Sequence, residues 1–579
     1  MKLDLAPKSR SRVLAYLLTG VLAVIVVRLF YLQVIAHEHY VQLASREQVK
    51  KLVIPAKRGM IYASNKESLV PLVMNQEVYT MFADPTVVTD PAKVEAVAQE
   101  IAGGNIIIED MQSKLKDKST QYVVIAKNVS LRQAEMIKQK KVKGVGFQKV
   151  SKRVYPEGSL AAHTLGFVDN DGQGQYGVES KLNDELMGKD GLLKSVTDVA
   201  NVPLSIGKDN IRRDAVDGKN IALTIDRNIQ SKAEEALANG IRQAQATHGN
   251  VMIMNPNNGH ILAMTTYPSY NPAEFYKADV ASYVNNTISM PYEPGSDLKT
   301  FTVAMGIDKG IIDADSTYVN TDRIQVEDRT IRNAFKGLTG TITMQTALSN
   351  SLNTGMVTIA QRLGDGKRIT RTARDTMYDY LHNKFRLGEK TGVELQGEAK
   401  GTVISPEEGE GNSVRYSNMS FGQGLDVTMI QVVSAFSAII NGGTYYQPSV
   451  IAGTVEDGAL KPAQPRTSYP GVIKAESSLK TKEMVHKART SYTKNDTPGY
   501  YIGGKTGTSE TIINGKYVDN QTIGTYLGFG GGSATSTKYV IMVEVSADGK
   551  NLEGGKHAMP IFTDISNWLL NYYQIQPGK

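Results

Sequence analysis

The 579-residue chain contains no cysteine. That excludes a disulfide scaffold, a thiolate nucleophile and a zinc–thiolate site. It leaves the compartment open, because exported proteins often do without disulfides. Tryptophan occurs once, and no RNA- or DNA-binding motif is present, so nucleic acid is not an expected partner. Charged residues make up 21% and hydrophobic ones 41%, an ordinary globular balance that argues against long disorder. At this length two or three domains are expected. The net charge of +7 suits an anionic membrane or wall polymer, and equally a mildly basic soluble surface.

Apolar runs long enough to span a bilayer are also scarce, and the one present is N-terminal. Lys2, Lys8, Arg10 and Arg12 precede an apolar run from Val13 to Val27, which continues past Arg28 and Gln33 to Ile35. Residues 13–35 reach the roughly 20 residues a span requires. The basic flank, residues 1–12, stays in the cytoplasm, so the rest of the chain is expected outside. A cleaved signal peptide is the competing reading, but no small-x-small site follows the run.

Residues 38–210 read as a mixed α/β region. Lys51–Pro55 and Gln121–Ala126 have strand character, and Pro91–Ala102 and Leu131–Gln139 have helical spacing. No catalytic constellation is evident there, and His163 reads as a structural residue. A second domain spans 217–575. Strands are expected at Ile221–Ile225, Val251–Met254, Ile261–Thr265, Tyr500–Gly504, Thr525–Phe529 and Tyr539–Val545. Arg227–Gln243 reads as a helix with Ile229, Ala233, Ala236, Leu237 and Ile241 on one face. A closing helix carries Ile561, Ile565, Trp568, Leu569 and Tyr572. Two strands early, three late, with helices between and at both ends, predict a multidomain α+β protein with a mostly antiparallel five-stranded sheet packed by helices.

Three short motifs carry chemistry: Ser296-Asp297-Leu298-Lys299, Ser351-Leu352-Asn353 and Lys505-Thr506-Gly507. Ser-x-x-Lys begins at four other serines, 113, 205, 477 and 491. Only Ser296 follows Glu293-Pro294-Gly295 and opens a strongly apolar helix candidate, Leu298–Ile307; the other copies lie in polar stretches without such a start. With a helix starting about at Ser296, Lys299 falls one turn on, on the same face. A buried lysine can lose its proton near neutrality and take one from Ser296. Ser351 and Asn353 follow a helix candidate at Met344–Ser349. Lys-Thr-Gly recurs at Lys390, but that copy runs into a loop-like stretch, whereas Lys505 follows a strand. Gly499 to Thr506 also matches the phosphate-binding pattern G-x-x-x-x-G-K-[ST]. Polar residues precede it and no helical period follows, so a nucleotide cradle is not expected.

This motif set is a known signature of penicillin-binding proteins and class A β-lactamases. At these residues the chain resembles the class B penicillin-binding proteins, membrane-anchored D,D-transpeptidases of bacterial wall synthesis. Tyr267-Pro268-Ser269-Tyr270, Phe421-Gly422-Gln423-Gly424 and Gly503 to Thr508 add to the likeness. So do Arg58-Gly59, Arg153-Val154-Tyr155-Pro156 and Gly174 to Glu179 in the N-terminal part. Asp297 departs from it, replacing a commonly uncharged position.

The resemblance implies a β-lactamase/transpeptidase-like catalytic domain on a pedestal resembling a dimerisation domain. It implies Ser296 as nucleophile, Lys299 as base, Ser351 and Lys505 as a proton relay, and Asn353 as a positioning group. Backbone N–H groups of Ser296 and Thr508 would form the oxyanion hole. Thr506, Gly507 and Thr508, with Lys505, would bind the terminal D-Ala-D-Ala of a stem peptide. No metal or cofactor is required, and β-lactams would be trapped on Ser296. Expected partners are a polytopic lipid II glycosyltransferase and other division or elongation proteins. Length and the lack of C-terminal repeat domains suggest the septal type; an elongation-type enzyme, a carboxypeptidase or β-lactamase, and a degenerate scaffold are the alternatives.

Overall fold

The structure is a computed structural model that describes residues 7–40, 49–196, 211–491, 493–513 and 516–578. Lys2 of the basic flank and Ser205 of the alternative Ser-x-x-Lys copies lie outside the described residues. The chain divides into two compact units.

The first unit comprises Met1–Arg58 and Met187–Gly218. Helix α1, Pro7–Phe30, runs on into a π-helical turn at Tyr31–Ile35. Arg10–Ile35 is apolar and long enough to cross a membrane, and none of it is covered by protein. Helix alone can place such a run in lipid, because every backbone group is then satisfied internally. A three-stranded antiparallel sheet joins Val49–Ile54, Gly191–Val196 and Ile211–Arg213. Asp190 and Asp217 close its base by accepting from the backbone N–H of Ala56 and Lys57 at 2.8 and 2.9 Å.

The second unit comprises Gly59–Leu186 and Lys219–Lys579. A seven-stranded sheet draws Ile61–Asn65, Ser68–Ala83, Val123–Val129 and Val145–Val154 together with Asn220–Asp226, Ile451–Glu456 and Ala459–Pro462. Asn220–Asp226 pairs in parallel with Ile61–Asn65, so this sheet takes strands from both sides of residue 217. Three N-terminal signatures meet on one buried ion pair. Arg153 donates to Glu179 at 2.7 Å, to the Gly59 carbonyl at 2.7 Å and to Asn75 at 2.8 Å.

A second large sheet of this unit is antiparallel and five-stranded. Its strands are β1 (His248–Met254), β2 (Ile261–Tyr267), β3 (Tyr501–Ile513), β4 (Lys516–Gly531) and β5 (Thr537–Ser546), in the order β2-β1-β5-β4-β3. Alternation along the strands splits its two faces. Val251, Ile253, Ile541, Val543 and Val545 pack under helices α2 (Arg227–Ala244) and α8 (Met559–Tyr572). Met252, Met254, Val540 and Met542 point into the other core, with α3 (Lys299–Asp308) and α6 (Met429–Ile440). Between them in sequence lie α4 (Met344–Ser349) and α5 (Asn353–Arg362), and α7 (Ala475–Thr490) precedes β3.

Helix α2 buries Ile229, Ala233, Ala236, Leu237 and Ile241, the stripe its period predicts, and Asp226 caps it by accepting from Asn228 and Ile229 N–H. Two expectations need correction. The α-helix begins at Lys299, and Ser296 sits in the preceding 3-10 turn, Gly295–Leu298. Lys505-Thr506-Gly507 lies inside β3, since the strand runs on to Ile513 rather than stopping at Gly504. The continuous strand also leaves no phosphate cradle at Gly499 to Thr506.

Candidate active site

Three pieces of chain bring the predicted residues together. The segment that carries Ser296 is threaded between two backbones. Gly295 has φ +58°, donates to the Gly422 carbonyl at 2.9 Å, and a Cβ on it would lie 2.8 Å from the Thr508 carbonyl oxygen. Glycine is required there by both conformation and space. Glu293 holds the same segment by accepting from Gly424 N–H at 2.6 Å and from the Tyr517 hydroxyl at 3.2 Å. Ser296 emerges half-buried from the 3-10 turn, and Lys299 starts α3, all ten residues of which are buried.

Lys299 is 1% exposed. Its Nζ donates to the Ser351 carbonyl at 2.6 Å and lies 3.1 Å from Ser351 Oγ. Burial and the neighbouring Lys505 push its ammonium well below the usual lysine range. Ser351 follows the end of α4 at φ +56°, the left-handed region, a strained choice for a non-glycine residue that aims its hydroxyl at the lysines. Lys505, on β3, donates to Ser351 Oγ at 2.9 Å and to the Thr506 carbonyl at 2.9 Å. Burial lowers it to about 8, against the raising effect of Asp297. The Ser351 hydroxyl therefore bridges two buried amines.

These groups open into a cleft of about 670 Å³ lined by Ser296, Lys299, Ser351, Asn353, Thr506 and Thr508. Asn353 Nδ2 donates to the Arg332 carbonyl at 2.9 Å, which fixes the lip of the cleft, while the hydrogen bonds of Lys299 go to Ser351. β3 is the edge strand of its sheet, so one of its backbone edges is unpaired within the sheet and runs beside Gly295. Two of the other motif copies are explained without chemistry. After Lys390, Thr391 and Gly392 N–H are tied to Glu398. Ser477 does lie in the first turn of α7, contrary to expectation, but Lys480 points outward and pairs with Glu476 at 2.6 Å. Burial of the lysine, rather than a helix start, separates Ser296 from that copy.

Sequence reasoning missed Phe335 and Lys556, which also line the cleft. Phe335 is 73% exposed, a large aromatic in a loop with no periodic signal. It also passed over Asp297, treated there only as a departure. Asp297 is fully buried, accepts from Thr525 Oγ1 at 2.6 Å, and is pushed up to about 7 by burial.

The fold and this cluster define an acyl-transfer enzyme, and comparison with known proteins gives the family. Residues 249–567 match the penicillin-binding protein transpeptidase domain, and residues 53–223 the penicillin-binding protein dimerisation domain. Stage V sporulation protein D of Bacillus subtilis is 30% identical, over 98% of this chain and 87% of its own. The probable peptidoglycan D,D-transpeptidase PenA of Neisseria gonorrhoeae is 27% identical, over 96% and 91%. The structure of penicillin-binding protein 2X from Streptococcus thermophilus superposes with a TM-score of 0.72 at 23% identity, covering 91% of this chain and 80% of that one. The chain belongs to the penicillin-binding proteins, as a class B D,D-transpeptidase of peptidoglycan. Its substrates are peptidoglycan peptides, and it binds β-lactams.

Proposed function

We propose that the reaction runs through an ester on Ser296. Neutral Lys299 takes the Ser296 hydroxyl proton as Oγ attacks the penultimate D-Ala carbonyl. Ser296 and Thr508 N–H groups stabilise the oxyanion. The C–N bond then breaks, and the departing D-Ala amine takes a proton from Lys505 through Ser351 Oγ. An amine of a second stem peptide attacks the ester and frees Ser296. Thr506, Gly507 and Thr508 receive the donor peptide as an added strand on β3, and Lys505 and the two threonines face its terminal carboxylate. Asn353 holds the cleft lip against Arg332.

The observation that carries these roles is the Ser351 hydroxyl within hydrogen-bond reach of both buried lysines. α1 anchors the chain with its N-terminus inside and the cleft outside the membrane. The working site is the division septum, beside a polytopic lipid II glycosyltransferase. The name of the Bacillus subtilis relative favours a second reading, a septum made in sporulation. Fluorescent penicillin followed by mass spectrometry tests the chemistry. A single adduct on Ser296, lost in Ser296→Ala, is expected; an adduct elsewhere sinks the assignment. A fluorescent fusion tests the location, and uniform side-wall signal would favour elongation.

A further inference from the structure

The mechanism leaves Asp297 unused, although it adjoins the nucleophile. Its side chain is wedged where the nucleophile turn meets β3 and β4. Oδ2 accepts from Thr525 Oγ1 at 2.6 Å, and Oδ1 is buried without a hydrogen-bond partner among the described residues. The facing wall is Gly507. A Cβ there would lie 2.7 Å from Asp297 Oδ2 and 2.0 Å from Thr525 Oγ1, so the glycine of Lys-Thr-Gly makes room for the carboxyl. Gly507 and Lys505 stand two apart on β3 and share a face, about 7 Å of strand apart. The carboxyl thus sits on the side of β3 from which Lys505 projects.

We propose that Asp297 is a positioning residue acting through Lys505: its carboxylate is the counter-charge that keeps Lys505 protonated beside Ser351, leaving Lys299 as the neutral member of the pair. Two amines share one hydroxyl in a buried site, and the reaction needs them in opposite states. The hydrogen bonds of both go to uncharged oxygens of Ser351 and Thr506, which cannot distinguish them. Asp297 can, because its charge favours the ammonium on Lys505, whereas Lys299 feels burial and the repulsion of Lys505. The other titratable groups around Asp297 are Tyr292 ahead of the nucleophile turn, Tyr526 on β4 and Glu544 on β5. Both tyrosines are raised by burial and stay neutral in the working range, Tyr526 to about 12. Glu544 stands opposite Thr525 in the sheet and is bonded to Asn250 at 3.1 Å. Its carboxylate is tied to Asn250 on β1, and the charge that raises Lys505 is that of Asp297.

The inference rests on the roles given above to Ser296, Lys299 and Lys505. Its test is the pH profile of acylation by fluorescent penicillin, measured on the full chain, for wild type, Asp297→Asn and Thr525→Val. Removing the charge lets Lys505 lose its proton earlier. In Asp297→Asn the alkaline limb should move to lower pH by about one unit, with a loss of about fivefold at pH 8 and little change at pH 6. Should that variant fail to fold by thermal unfolding, Thr525→Val, which weakens the hold on the carboxylate, should move the limb the same way by less. A uniform fall in rate with the wild-type profile kept in the folded variants overturns the inference. Labelling of wild type elsewhere than Ser296 overturns the functional reading itself, so the two failures are distinct.

Discussion

The role of base proposed for Lys299 depends on its being dry. A lysine in water holds its proton at neutral pH; this one is enclosed by α3 and α4 with a second amine close by. Arginine at 299 would keep the charge and never give up the proton. Lys299→Arg should therefore lower acylation by about 10²- to 10⁴-fold, measured as the rate of penicillin labelling, and the buried permanent charge should also lower the melting temperature. Wild-type acylation should fall as pH rises past about 8, because the proposed relay uses the protonated form of Lys505. Gly507→Ala forces a methyl against Thr525 and Asp297 inside the sheet. Overpacking of this kind costs about 1–3 kcal/mol, so both the melting temperature and labelling should drop. At this scale the sequence was informative where spacing places two groups in one cleft, as for Ser296 and Lys299. It was silent on Asp297, whose role depends on a strand more than 200 residues away and so leaves no local pattern.

Elements were legible where one face repeats. α2 and α8 follow from their apolar period, since each buries one face against the five-stranded sheet and no single residue. Ser68–Ala83, sixteen residues long, was not read as a strand. Pro71 and the polar run Asn75-Gln76-Glu77 break its alternation. Pro71 is tolerated at a shift of register against Tyr62, where a ladder donor is dispensable. Asn75 is spent on Arg153. That ion pair makes the clearest prediction for this part of the fold. Glu179→Ala strands the Arg153 guanidinium, which is 6% exposed, and should cost about 3–5 kcal/mol in denaturant unfolding. Asp226→Ala, by contrast, removes one helix cap and should cost about 1 kcal/mol, plus whatever its bonds from the Tyr572 hydroxyl contribute.

Over the whole molecule, the cleft is assembled from segments that are far apart in the chain. The Ser296 turn reaches it from one side and β3 from the other, and within the sheet β3 is paired to β4, which is paired to β5. α8 covers the outer face of that sheet with Phe562, Ile565 and Leu569, each fully buried. Ending the chain after residue 558 should abolish penicillin labelling altogether, although every motif residue would remain. The domain order and the five-strand layout could be read in advance because motif order is fixed by the fold. The seven-stranded sheet could not, because its parallel join between Ile61–Asn65 and Asn220–Asp226 links stretches that carry no shared motif.

The pairing of β1 with β5 has a consequence for timing. From the end of β2 to the start of β5 the ribosome must add 537 − 267 = 270 residues. At about 5–20 residues per second this takes roughly 15–55 s. Through that interval β1 has an open edge, ready to pair with a neighbouring nascent chain. A molecule under synthesis is also invisible to penicillin, so a brief pulse of drug spares the youngest copies, and they mature into working enzyme once it is gone.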